Sequence, residues 1–132
     1  SPPKYIHFST RADKFNRLLM ENPLIFDVHE PEFQAQVLEA SKQHPILVDF
    51  WADWCPPCIV LTPVLERVVK GYAGALRLAK VEVDEGENMR LAGRYGLRGF
   101  PTVLLIVNGE EKGRFSSARP DGWVKQFIDE HL

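Results

Sequence analysis

The chain has 132 residues, enough for one domain with a hydrophobic core and too few for two. It is 45% hydrophobic and 26% charged with a net charge of −2, as in an ordinary soluble globular domain. These values exclude a basic field for nucleic acid or anionic lipid, and no apolar run approaches the ~18–20 residues of a membrane span.

Residues 1–24 read as an N-terminal extension. Thr10-Arg11-Ala12-Asp13 has the form of a helix start, Phe15, Leu18 and Leu19 follow at helical spacing, and Asn22-Pro23 stops the helix. The extension lacks the apolar block of a secretory leader, and Asp13 and Glu21 argue against an acid-poor transit peptide. The chain holds only two cysteines, three positions apart, which is unlike a secreted disulfide scaffold. The expected setting is a reducing cytoplasm.

From residue 25 to 132 strands and helices alternate. Ile25–Val28 is a short strand, and Pro31 to about Lys42 is a helix with Phe33, Val37 and Leu38 inward. Ile46–Trp51 is a nearly unbroken apolar run, as in a central strand covered on both faces. A long helix from about Pro57 to Lys70 turns Val60, Leu61, Val64, Leu65, Val68 and Val69 inward, with Gly71 as its cap. Leu76–Val83 is a strand, and Asn88 to Tyr95 a short helix closed by Gly96. Thr102–Val107 and Glu111–Phe115 flank Asn108-Gly109, a strong hairpin signal. Asp121–Leu132 is a last helix that buries Trp123, Phe127 and Ile128. This order predicts an α/β fold, a central mixed β-sheet flanked by helices on both faces.

The chemistry concentrates in Trp54-Cys55-Pro56-Pro57-Cys58. Two cysteines separated by two residues, where a strand ends and a helix begins, are able to close a small disulfide ring. The first sulfur then sits at the helix N-terminus, whose free amides and positive dipole end favour a thiolate. Cys58 continues into the helix and is shielded by it. The asymmetry makes Cys55 the nucleophile and Cys58 the resolving thiol. Lowering a thiol pKa from about 8.5 to about 7 raises its thiolate fraction at neutral pH roughly fifteen-fold. Lower basicity removes roughly six-fold in nucleophilicity, so the larger gains are in leaving-group ability and potential. A structural disulfide, or half of a zinc or iron–sulfur site, would also place two cysteines so. A zinc site needs about four ligands, however, and His7, His29, His44 and His131 are scattered.

Several further blocks accompany this motif. They are Val48-Asp49-Phe50-Trp51-Ala52-Asp53-Trp54-Cys55, Cys58 with Pro63, Ala79-Lys80-Val81 with Asp84, Tyr95 through Thr102, and Asn108-Gly109. Together, over residues 25–132, they closely resemble the thioredoxin family. The resemblance implies a thioredoxin fold and a protein-disulfide oxidoreductase without a bound cofactor. It implies catalytic Cys55 and Cys58, with Asp49 as a buried proton relay and Lys80 as its basic partner. Desolvation on an apolar strand would raise the Asp49 pKa. Phe100-Pro101 matches the family's cis-proline position, where the Phe100 backbone would pair with an extended substrate segment. Trp54, Pro56, Pro57, Phe100 and Pro101 form the implied substrate surface, with Trp54 as an apolar lid. Pro63 lies mid-helix, where it kinks the chain.

The implied partners are protein disulfides and a flavin-dependent thioredoxin reductase or another dithiol donor, met by a monomer. Three residues depart from the family's usual pattern. Pro56 stands where Gly is usual and removes an amide donor near the Cys55 sulfur. Ile59 occupies a place often basic, and Ser117 one usually held by Gly. The alternative function is a non-catalytic chaperone or binding module, because Leu61-Thr62-Pro63 with Gly96-Leu97-Arg98 also resembles the thioredoxin-like domain of bacterial chaperedoxins.

Overall fold

The computed structural model describes residues 23–132, so the helix expected within the extension lies outside the described residues. A five-stranded sheet runs in the order β1 (Ile25–Asp27), β3 (Arg77–Glu82), β2 (Ile46–Trp51), β4 (Thr102–Val107), β5 (Glu110–Ser116). The first three strands are mutually parallel, and β4 and β5 are antiparallel to their neighbours. The mixed sheet is as expected.

Both faces of the sheet are covered. On one face Ile46, Val48 and Phe50 of β2 join Ala79, Val81, Leu104 and Ile106, with Phe33 and Val37 packed against them. On the other, Leu47, Leu78, Val103 and Leu105 meet Leu61, Leu65 and Val69 of α2 (Pro56–Gly71) and Val124, Phe127 and Ile128 of α4 (Asp121–His131). Strand alternation therefore assigns Asp49, two residues from Leu47, to the α2 face. Lys80, two residues from Leu78 and opposite Asp49 in the β2–β3 register, falls on the same face.

The structure corrects several boundaries and orientations. The expected helix over 31–42 is an α-helical turn, α1 (Glu30–Phe33), followed by a π-helical segment (Gln34–Glu39) and a 3-10 turn (Ala40–Lys42). Its end is anchored on the β4–β5 hairpin: buried Ser41 donates to the Leu38 carbonyl at 2.6 Å and accepts from the Gly109 amide at 2.8 Å. Gly71 is the last residue of α2 rather than its left-handed cap; that conformation falls on Ala73 (φ +51) and Gly74 (φ +92). By contrast Gly96 (φ +63) does close α3 (Met89–Arg94), and Asn108 and Gly109 both take the positive φ of a tight hairpin turn. Trp123 is not buried. It is 37% exposed, stacked on Phe127 at 5.9 Å with Arg119 over its ring, and Val124 takes the core position instead. Val60, expected inward, points to solvent.

Candidate active site

β2 ends at Trp51, and a short turn delivers Cys55 in extended conformation (φ −106°, ψ 101°) as the N-cap of α2. Pro56 and Pro57 fill the first helical positions, where a missing amide breaks no intrahelical bond. Cys55 and Cys58 are joined by a disulfide, with Cα atoms 5.3 Å apart. With prolines at both intervening positions, the Cys58 amide is the donor that reaches the Cys55 sulfur, at 3.3 Å. Cys58 is fully buried, and Cys55 is 4% exposed. The asymmetry has the expected direction, although both sulfurs are more enclosed than a helix mouth suggests.

Across from the disulfide the Phe100–Pro101 peptide is cis, as the family resemblance implied. The Phe100 carbonyl oxygen lies 3.6 Å from Cys55 Sγ, so a reduced Cys55 thiol would have an acceptor there. Pro101 is buried and Phe100 half-buried, whereas Trp54, Pro56 and Pro57 are exposed. Trp54 is 62% exposed, its ring edge-on to Phe100 at 6.3 Å, and its indole Nε1 donates to Asp84 Oδ2 at 2.5 Å. Trp54 is thus held at the surface beside the site rather than packed in the core. The other tryptophan, Trp51, packs half-buried against the sheet core.

Beneath α2, Asp49 is completely buried. Its Oδ2 accepts from the Thr62 hydroxyl at 3.4 Å, and the same hydroxyl lies 3.1 Å from the Cys58 carbonyl. One hydroxyl proton has two acceptors, so Thr62 serves Asp49 and the Cys58 backbone in alternation. Asp49 Oδ1 meets no donor among the described residues. Burial pushes the Asp49 pKa up to about 7, against the pull of Thr62 and the Lys80 charge, with the Glu66 charge adding to the rise. Lys80 is a more distant partner than expected. Its ammonium pairs with Glu66 Oε1 at 3.3 Å, where both side chains are partly shielded, and acts on Asp49 only through its field.

Three contributors, Thr62, Glu66 and Asp84, were given no site role in the sequence reading. Thr62 and Glu66 lie four and eight residues after Cys58, one line down the helix, so their spacing alone could have found them. Asp84 lies 30 residues from Trp54, and nothing local in the sequence pairs the two. It belongs to an acidic flank with exposed Asp53 and Glu85 and half-buried Glu82. There a hydrogen bond with Glu85, some desolvation, and repulsion from Glu85, Asp53 and Asp84 push Glu82 up to about 7. Ser117 adopts φ +74°, a conformation that favours glycine, and its amide reaches the Pro101 carbonyl at 3.3 Å.

Comparison with known proteins agrees with this geometry. The family model described as Thioredoxin matches residues 25–130. The chain belongs to the thioredoxin family. A thioredoxin from Chlorobaculum thiosulfatiphilum is 40% identical over 107 residues, covering 81% of this chain and 95% of that protein. The chloroplastic M-type thioredoxin of Pisum sativum is 34% identical over 123 residues, or 87% of this chain and 70% of that protein. Family membership and the paired Cys55 and Cys58 make this chain a thiol–disulfide oxidoreductase that acts on protein disulfides and is served by a reductase.

Proposed function

We propose that Cys55 is the attacking thiolate, Cys58 the resolving thiol and Asp49 the proton relay for Cys58. In reduced protein the Cys55 thiolate attacks one sulfur of a substrate disulfide. The substrate bond breaks, one substrate thiolate leaves, and a mixed disulfide joins Cys55 to the other. Cys58 then gives its proton to ionised Asp49 and attacks Cys55. The second substrate thiolate leaves, and the Cys55–Cys58 disulfide holds the two electrons' worth of oxidation.

The observation that carries this reading is a fully buried carboxyl, Asp49, held by the Thr62 hydroxyl one turn along the helix from Cys58, beneath a sulfur pair of which only Cys55 reaches the surface. A carboxyl with a pKa near 7 is matched to proton exchange at neutral pH. Phe100 and Pro101 support an extended substrate segment, Trp54 covers it, and Pro56 and Pro57 stiffen the ring. A flavin-dependent thioredoxin reductase or another dithiol donor returns the electrons to a monomer in a reducing compartment such as the cytoplasm. Among the described residues no helix is long and apolar enough to cross a membrane.

The test is trapping. Cys58→Ser protein should accumulate a covalent adduct with a protein disulfide on Cys55, and Cys55→Ser should form none and lose all turnover. Asp49→Asn should remove an inflection near pH 7 from the rate of resolution. Adducts on residue 58 in Cys55→Ser would reverse the two sulfur roles, and an unaltered pH profile would remove Asp49 from the mechanism.

A further inference from the structure

The helix that carries the cysteines is apolar on the side facing away from the protein as well as on the side facing in. Its first charged residue is Glu66. The inward line of Cys58, Leu61, Val64 and Leu65 is buried against the sheet. Pro56, Ile59, Val60 and Pro63 have the spacing i, i+3, i+4, i+7 of a single helix face, and all four are exposed. Ile59 and Val60 are 51% and 63% exposed. A surface helix ordinarily places charged or polar groups on this side. Single exposed apolar residues need no explanation, but a continuous stripe marks a surface that is covered in use.

The chemistry indicates what covers it. A substrate sulfur must bond to Cys55, so the substrate chain has to lie over the start of α2, and Pro56 at the head of the stripe adjoins that sulfur. At about 1.5 Å per residue the stripe runs roughly 10 Å from the mouth, the length of about three extended residues. The opposite flank, beyond Trp54, is acidic with Asp53, Asp84 and Glu85, so the two sides of the mouth present different chemistry.

We propose that the Pro56–Ile59–Val60–Pro63 stripe is the docking surface for the protein disulfide substrate, and that it takes apolar side chains within about three residues of the reacting cysteine. The inference rests on Cys55 being the attacking sulfur. Docking here is hydrophobic, so selectivity for such substrates persists at high salt, unlike a charge-steered encounter.

Two synthetic peptide disulfides of equal length test it, one with Leu and Val flanking each cysteine and one with Ser and Gly. The ratio of their kcat/KM values, taken on one protein preparation, measures the preference. The native chain should favour the apolar peptide about ten-fold, equivalent to about 1.4 kcal/mol. The double variant Ile59→Gln/Val60→Gln should bring the ratio near one, and Ile59→Met/Val60→Met should keep it. A native ratio near one, or a preference that survives the Gln pair, overturns the proposal. A preference that fades with protein concentration as dimers appear in sedimentation assigns the stripe to a second copy and also overturns it. Failure of the Cys55 assignment looks different, because neither peptide would then leave an adduct on Cys55 in Cys58→Ser protein.

Discussion

From Pro56 to Pro63, α2 carries no charge and exposes proline, isoleucine and valine. From Val64 to Gly71 it places Arg67 and Lys70 in solvent and keeps Leu65 and Val69 buried. The second half follows the usual economy of a surface helix, with one apolar side facing the core and a charged side facing water. The first half gives up that division, and it is also where the sulfurs, the buried carboxyl and the two prolines meet. One element thus contains a segment organised around the fold and a segment organised around an encounter.

The largest effect that sharpens this contrast comes from Asp49, under the first half. Its carboxyl is neutral in the folded protein up to about pH 7 but ionised in the unfolded chain above the ordinary aspartate value of 3.8. The folded state therefore binds the extra proton, and stability is lost as pH rises through that window. In oxidised protein, where the cysteines do not titrate, Asp49→Asn should gain on the order of 4 kcal/mol at pH 8 and nothing near pH 4. Urea titrations at both pH values measure this, and an equal gain at both would show that charge burial is not the cause.

The next effect belongs to the second half. Leu65 is fully buried, and Leu65→Ala should cost about 3 kcal/mol of stability. Disulfide exchange by the folded fraction should stay within about two-fold of the native rate, since the chemistry lies two turns away. Stopped-flow exchange compared with urea stability checks it; parallel losses in both would erase the distinction between the halves. The smallest effect lies at the helix end. Gly71 is helical, and a Cβ there meets nothing within 4 Å. Gly71→Ala should stabilise by about 0.5–1 kcal/mol, read as a shift in the urea midpoint at constant slope.

Much of the site was legible in the residues themselves. The Cys55–Cys58 spacing, the strand before it and the prolines at the helix start are local features, and local sterics and capping decide them. The proline at 101 was read as cis from the family's pattern rather than from any property of its own dipeptide. The orientation of Val60 was misread because Val60 and Leu61 are adjacent and both apolar, so periodicity alone does not choose between them. Trp123 and Val124 presented the same ambiguity. The Lys80–Glu66 pair was hidden because Glu66 reaches Lys80 across the gap between helix and strand.

The amino-acid order alone determined the elements, the mixed sheet and the dithiol, because hydrophobic period, turn residues and cysteine spacing act over a few positions. Tertiary structure alone decided which face of β2 Asp49 occupies, since a strand buried on both sides shows no alternation in its apolar pattern. It also decided that Asp84 holds the Trp54 indole and that the Thr62 hydroxyl reaches both Asp49 and the Cys58 carbonyl. Those contacts depend on how sheet, helix and loops pack together, and chain proximity does not encode that packing.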